Sequence, residues 1–486
     1  MFSEVTAKFK SIKLGTSPRK GPVNTGLPSA MFYKTTELNI GKERIIAAVK
    51  SPSNIGYYLF LLFTVIYFMN LPYRIASLAP LHIGMILNAL LLLAILFSVA
   101  SRPSGPENGL LRSSTSLLLL LFVFYMILTI PMSKWPGTVM KKGLLEFLKV
   151  GSFYFFTIFF IDTQQKLERF MFVYLLCIWM ICFEPFFAYL GTGYLGYVDY
   201  SMGGTPFYRL TGLTNKIGGN PNGLAMLSVQ AGLIAYFYLH YYKTKAARIL
   251  LFASFPFLFA VLILTGSRSG FLTAVVAVVL CIFKGKHKII GFLLAIAAIL
   301  FIWTQMGDMN KVRYESLIEK NVAGRASAEN RIEHIKKAFN LFLNRPVFGY
   351  GIGTFAEVNF NYTGEALVSH SLYTGVLVEV GILGFLLFFI YLKSVFKNLA
   401  LIRQKSIKRG EENAYFFQFS HLISVLLITQ LVFALWAGNS TYYVWYLNGG
   451  LSVVGLRILS RTVPNDKTGR AGKEVPTYDR DIGSQN

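Results

Sequence analysis

His370 stands where a polar stretch meets an apolar run beginning at Leu372, and of the chain's 6 histidines it is the one best placed for proton chemistry. A helix starting there turns its dipole toward anions, and an imidazole exchanges protons near neutral pH. A solitary histidine is also a common structural residue, so position alone leaves both readings open. His240 and His287 lie at ends of apolar runs, His82 and His421 in or beside them, and His334 on a helical stretch of the polar segment.

Arg268 is the second outlier, in Thr265-Gly266-Ser267-Arg268-Ser269-Gly270 between two apolar runs. Arginine at membrane depth is costly. A planar guanidinium beside hydroxyls suits phosphate or diphosphate recognition, and the alternative is a side chain that snorkels to the interface. Arg209, followed by Gly219-Asn220-Pro221-Asn222, a turn and helix-start signal, reads either as an anion contact or as a solvated loop arginine. Gly349-Tyr350-Gly351-Ile352-Gly353 lets backbone approach either backbone or a ligand. No strand precedes it, so it is not a dinucleotide fingerprint.

Glu146, Glu184 and Glu379 fall within apolar runs, where carboxylates suggest ion or proton paths. Lys149 lies one turn from Glu146, which makes a structural pair the simpler reading. Glu379 falls near the helix face opposite His370 and is not its orienting carboxylate. Cys177, Cys182 and Cys281 sit in apolar runs without zinc-ligand spacing and read as buried single thiols. The sequence names no metal and no cofactor.

These residues must be positioned by membrane helices. The chain is 54% hydrophobic and 14% charged, against about 25% charged in soluble domains. The fold expected is an all-α, polytopic integral membrane helix bundle of about twelve transmembrane helices. The spans read as Ile55–Met69, His82–Ala100, Thr115–Ile130, Gly143–Ile161, Phe170–Leu190, Asn222–His240, Ile249–Gly266, Ser269–Phe283, Ile289–Met306, Leu372–Leu392, Phe416–Trp436 and Tyr442–Leu459. The net charge of +24 is explained by the positive-inside rule rather than by nucleic-acid binding: with the N-terminus in the cytoplasm, roughly 31 of the 47 Lys and Arg fall on that side. Both termini are then cytoplasmic. Residues 1–54 form a basic tail at the anionic inner leaflet, carrying Lys8, Lys10, Lys13, Arg19 and Lys20 and lacking the apolar core of a signal peptide. Residues 55–460 form the membrane domain and 461–486 a polar cytoplasmic tail.

Two long loops, 191–221 and 307–369, fall on the outer face. The second is expected to be structured. Ala328–Leu343 places Ile332, Ile335, Phe339 and Phe342 at helical spacing, with Arg331, Lys336 and Lys337 off that stripe, and Pro346 ends the helix. It reads as an amphipathic helix on the membrane interface or as one packed on the bundle top.

His370-Ser371, nine residues, then Gly381-Ile382-Leu383-Gly384 resembles the signature of the bacterial O-antigen ligase and polymerase superfamily. Arg331 through Pro346-Val347-Phe348-Gly349-Tyr350-Gly351 resembles the family's large outer loop, Ser267-Arg268 its Ser-Arg span end, and Arg209, Gly212 and Asn220-Pro221-Asn222 an element ahead of the sixth span. The resemblance covers residues 200–400 best. It implies an inner-membrane glycosyltransferase with a periplasmic active site, whose donor is a glycan on undecaprenyl diphosphate. The acceptor is a saccharide: a lipid-linked repeat unit for a polymerase, lipid A–core for a ligase. His370 is then the base for the acceptor hydroxyl or a sugar-binding residue, and Arg268, Arg331 and Arg209 are diphosphate ligands. Ser371, Asn222 and the glycines Gly349, Gly351, Gly353, Gly381 and Gly384 are motif residues, and the family requires no metal.

Two other classes compete. A polysaccharide or small-molecule transporter or flippase would use the many spans and buried carboxylates, but the sequence has no internal repeat. A membrane scaffold would bind other polysaccharide-assembly proteins through its large loop. On the Lys/Arg asymmetry, topology reporters fused within Lys393–Glu412 should report the cytoplasm and those within Gly307–Ser369 the outer face. The opposite pattern inverts the map.

Overall fold

The computed structural model describes residues 54–101, 113–202, 205–214, 217–241, 244–282, 325–364, 369–410 and 414–461, with single positions between 289 and 315. The N-terminal tail through residue 53, the C-terminal tail from residue 462 and most of the span Ile289–Met306 lie outside the described residues.

The bundle is built from α1 (Asn54–Met69), α2 (Ile83–Ser101), α3 (Ser114–Leu128), α4 (Leu145–Phe160) and α5 (Gln164–Thr192). A hairpin follows, β1 (Gly196–Met202) and β2 (Thr205–Leu210), and then α6 (Pro221–Tyr241), α7 (Lys245–Leu264) and α8 (Arg268–Ile282). Next come α9 (Arg325–Asn344) and α10 (Phe355–Thr363), and finally α11 (Leu372–Lys408), α12 (Tyr415–Phe433) and α13 (Tyr443–Arg461). Among the described residues, 8 helices are long and apolar enough to cross a membrane, while α1 and α8 are apolar but shorter. Each segment read as a span carries a described helix except Ile289–Met306. Helices are expected there because a backbone in lipid must satisfy its own polar groups.

Small residues let the core helices close up. A Cβ on Gly450 of α13 would lie 2.8 Å from Thr157 Cβ on α4, and one on Gly449 would lie 2.0 Å from the Tyr391 hydroxyl on α11. Beside that contact, Phe60, Phe63, Phe153, Phe156 and Phe170 interlock edge-on, tilted or stacked. Polar atoms within the bundle find one another: Gln230 Nε2 donates to Gln430 Oε1 at 3.2 Å, and the Tyr174 and Tyr443 hydroxyls lie 3.2 Å apart. Lys149 Nζ pairs with Glu146 at 2.5 Å, as the spacing predicted. The partner of Glu184 is Arg74, which the sequence did not reveal.

Two expectations are corrected. The loop 191–221 contains an antiparallel hairpin, with Tyr197 opposite Arg209 and Val198 opposite Tyr208. Aromatic and branched residues favour that extended pairing. The helix of the span read as Leu372–Leu392 is longer than that span, since α11 continues to Lys408.

The glycine motifs meet at a break in α11. Gly381 has φ 64° and ψ −172°, a conformation essentially confined to glycine. The interruption exposes carbonyls and amides that the chain from Pro346 to Gly351 satisfies. Tyr350 N donates to Val378 O at 3.0 Å and Gly351 N to Glu379 O at 2.7 Å, while Ile382 N donates to Pro346 O at 2.8 Å. Tyr125 supplies a further donor, its hydroxyl reaching Val380 O at 2.7 Å. A Cβ on Gly349 would sit 2.6 Å from Glu379 O, and one on Gly381 would sit 2.3 Å from Val347 O. The glycines therefore serve backbone-to-backbone contact. Gly381→Ala should destabilise the protein by at least about 1–3 kcal/mol from backbone strain alone. Gly232→Ala, where nothing lies within 4 Å, should be near neutral. Thermal unfolding in detergent decides this, and equal midpoints for the two variants would refute the role given to Gly381.

Candidate active site

The first group of site residues forms where the hairpin meets the starts of α6 and α8. Arg209 on β2 is 4% exposed, not the solvated loop arginine of one sequence reading. Its Nε donates to Thr265 O at 2.8 Å, Nη1 to Asp199 Oδ2 at 3.2 Å and Nη2 to Asn222 Oδ1 at 3.0 Å. One guanidinium thus fastens the hairpin to the end of α7 and the start of α6. Asn222 Oδ1 also accepts from Ser267 Oγ at 2.9 Å. Ser267 Oγ in turn accepts from Gly270 N at 3.1 Å, satisfying one of the amides left over in the first turn of α8. Arg268, the first residue of α8, is 6% exposed beside this junction. Motifs that were separate in the sequence are therefore one cluster.

The second group forms at the start of α11. Ser369 Oγ donates to Ser371 O at 2.7 Å and accepts from Ser371 N at 3.2 Å, a tight turn that fixes the residue between them, His370. Leu372 N donates to Ala434 O at 2.9 Å, tying this helix start to the end of α12. Against this packs α9. Its seated face is Ala338 and Leu341, buried with Tyr350, Phe355, Val358 and Val378, and flanked by Phe342. Arg331 and His334 lie on the same face at helical spacing. The stripe expected from the sequence is split, because Ile332 and Phe339 are exposed while Phe342 packs inward. The helix is packed on the bundle, with the small Ala338 at the contact.

His334 is the site neighbour that sequence reasoning missed: its ring centroid lies 5.4 Å from that of His370. The available signal was its position three residues from Arg331. Burial lowers the His370 pKa below the ordinary 6.5, and the charges of Arg331 and His334 push it further down. His370 is therefore a neutral imidazole at pH 7, able to accept a proton. Glu379 faces elsewhere: its Oε1 accepts from Phe355 N at 3.4 Å, at the start of α10. The two groups share a covering layer, since α9 touches both α11 and β1.

The sign of the shift is testable without any substrate. A depressed pKa keeps His370 neutral, and so open to carbethoxylation, to lower pH than an ordinary histidine. The midpoint of its modification should fall below 6.5 and rise toward that value in Arg331→Ala, which removes one of the depressing charges. A wild-type midpoint at or above 6.5 would contradict the burial and charge described.

The comparisons with known proteins bear on the same stretch. No curated protein matches the chain. A family model described as O-antigen ligase matches residues 253–389. That segment holds Arg268, Arg331, His370 and both glycine motifs, whereas Arg209 and Asn222 precede it. The match over residues 253–389 supports the resemblance of that stretch to the O-antigen ligase and polymerase superfamily.

Proposed function

We propose that this protein is a bacterial inner-membrane glycosyltransferase that moves a glycan from undecaprenyl diphosphate to a saccharide hydroxyl at the periplasmic face, as a polymerase or ligase of surface polysaccharide. The observation that carries the reading is the half-buried His370, with its depressed pKa, set beside Arg331 within the O-antigen ligase stretch. The acceptor hydroxyl attacks the anomeric carbon, and His370 takes its proton as the new bond forms. The bond from that carbon to the diphosphate oxygen breaks, and the oxygen keeps the electron pair. Arg268 and Arg331 stabilise the charge that develops there, and Arg209, through Asn222 and Ser267, holds the start of α8 that carries Arg268. Both termini lie in the cytoplasm, which puts the covered end of the bundle outside.

The test is single-turnover transfer from a purified undecaprenyl-diphosphate glycan in nanodiscs. His370→Ala should fold normally and lose about a hundredfold to ten-thousandfold in rate. His370→Gln keeps a polar group but takes no proton at neutral pH, so it should fail as badly. Arg268→Lys keeps the charge but loses the planar fork and should be poorly tolerated. Near-normal transfer by His370→Gln would remove the base role and leave a sugar-binding histidine. Near-normal transfer by His370→Ala would move the reading to a transporter.

A further inference from the structure

His334 has no place in the chemistry above, yet it is the side chain whose ring meets that of His370, at 5.4 Å between centroids and 53° between planes. One ordered water, or a rotation of either ring, spans such a gap. Burial of Ala338 and Leu341 sets the rotation of α9 and so holds His334 toward the start of α11. Its neighbours Ile332 and Glu333 are exposed, so the far side of α9 opens to solvent.

The surroundings of His370 make an imidazolium there short-lived. Among the described residues, no carboxylate is hydrogen-bonded to it. Glu379 is turned to Phe355 N, Glu333 is paired with Lys337 at 3.1 Å, and Glu357 of α10 is paired with Lys142 at 2.8 Å. Among the described residues, the charge that acts on His370 is cationic: that of Arg331, and that of His334 only once it carries a proton. A proton taken from an acceptor hydroxyl thus meets no carboxylate among the described residues to hold it, and it must leave before the next turnover.

We propose that His334 is a positioning residue that works through His370: it receives the proton that His370 removes from the acceptor and passes it to water. This rests on the glycosyl transfer proposed above. The steps balance. The acceptor O–H bond breaks and its oxygen bonds to the anomeric carbon; the diphosphate departs with its electron pair. The proton moves from His370 to His334 and out, and both imidazoles end neutral. No other reactant is required.

The experiment uses the full chain in nanodiscs with undecaprenyl-diphosphate glycan, under multiple turnover, in weak buffer free of imidazole. His334→Ala should lower kcat by about tenfold, less than loss of the base itself, with KM unchanged. Added imidazole should restore the rate, since a small diffusible base can replace the missing relay. His334→Gln, which preserves side-chain polarity, should show the same loss and the same rescue, while wild type should ignore imidazole. Unchanged kcat in both variants, or a loss that imidazole does not relieve, would overturn the proposal. His370→Ala run in parallel separates the two ideas. If it is inactive while the His334 variants are normal, the relay fails and the transferase reading stands. If it is active, both fail.

Discussion

At Gly381 the longest of the described helices gives up its own hydrogen bonds, and most of the candidate site follows from how they are replaced. A helix inside an apolar bundle cannot leave carbonyls bare, because each one buried without a partner costs several kcal/mol by transfer arguments. The chain from Pro346 to Gly351 comes close enough to donate and accept in their stead, which its glycines permit. Tyr350, held there, becomes part of the surface on which Ala338 and Leu341 rest. That contact sets the rotation of α9, which in turn sets Arg331 and His334 against His370. A backbone interruption in one helix thus reaches the imidazole through packing alone.

The arginines divide the work differently than their shared charge suggests. Arg209 is held by Thr265, Asp199 and Asn222, a set that fixes a hairpin and two helix ends. Its ion pair with Asp199 is largely buried, where desolvation offsets much of the attraction, so its value lies in geometry more than in stability. Arg331 lies on a helix that rests on the bundle, and its charge is felt at His370. Arg268 starts a helix whose first turn is capped by Ser267, so its backbone is fixed before its side chain does anything. In this arrangement Arg209 sets the frame, and Arg268 and Arg331 carry the proposed diphosphate contacts within it.

Much of this was legible in the sequence. Apolar runs of span length have few alternatives to a helix, so the bundle could be read off directly. His370 and Arg268 stood out because polar types at the ends of apolar runs are conspicuous, while Arg331 was singled out through the family resemblance. What stayed hidden depends on distant residues. The hairpin was missed because its strands are short and their tyrosines also suit an interfacial loop. The seated face of α9 was misjudged because Ile332 and Phe339 are larger than Ala338, though it is the small residue that permits contact. His334 looked idle because its partner comes from another part of the chain. The glycine run from 349 was ambiguous between ligand and backbone, and only its meeting with Gly381, a motif residue in the sequence, separates the two.

The partners of the Gly381 break have one more property, which concerns the order of synthesis. Tyr125, Pro346, Val347, Tyr350 and Gly351 all precede Gly381 in the chain. When α11 leaves the ribosome, every group that bonds its interrupted turn has already been made, and the loop just ahead of it is the nearest segment available. The defective stretch need never wait in lipid for a later one to complete it. The opposite order, with the glycine loop following the broken helix, would leave bare carbonyls in the membrane during biogenesis. The direction in which the chain is read thus makes this helix safe to insert.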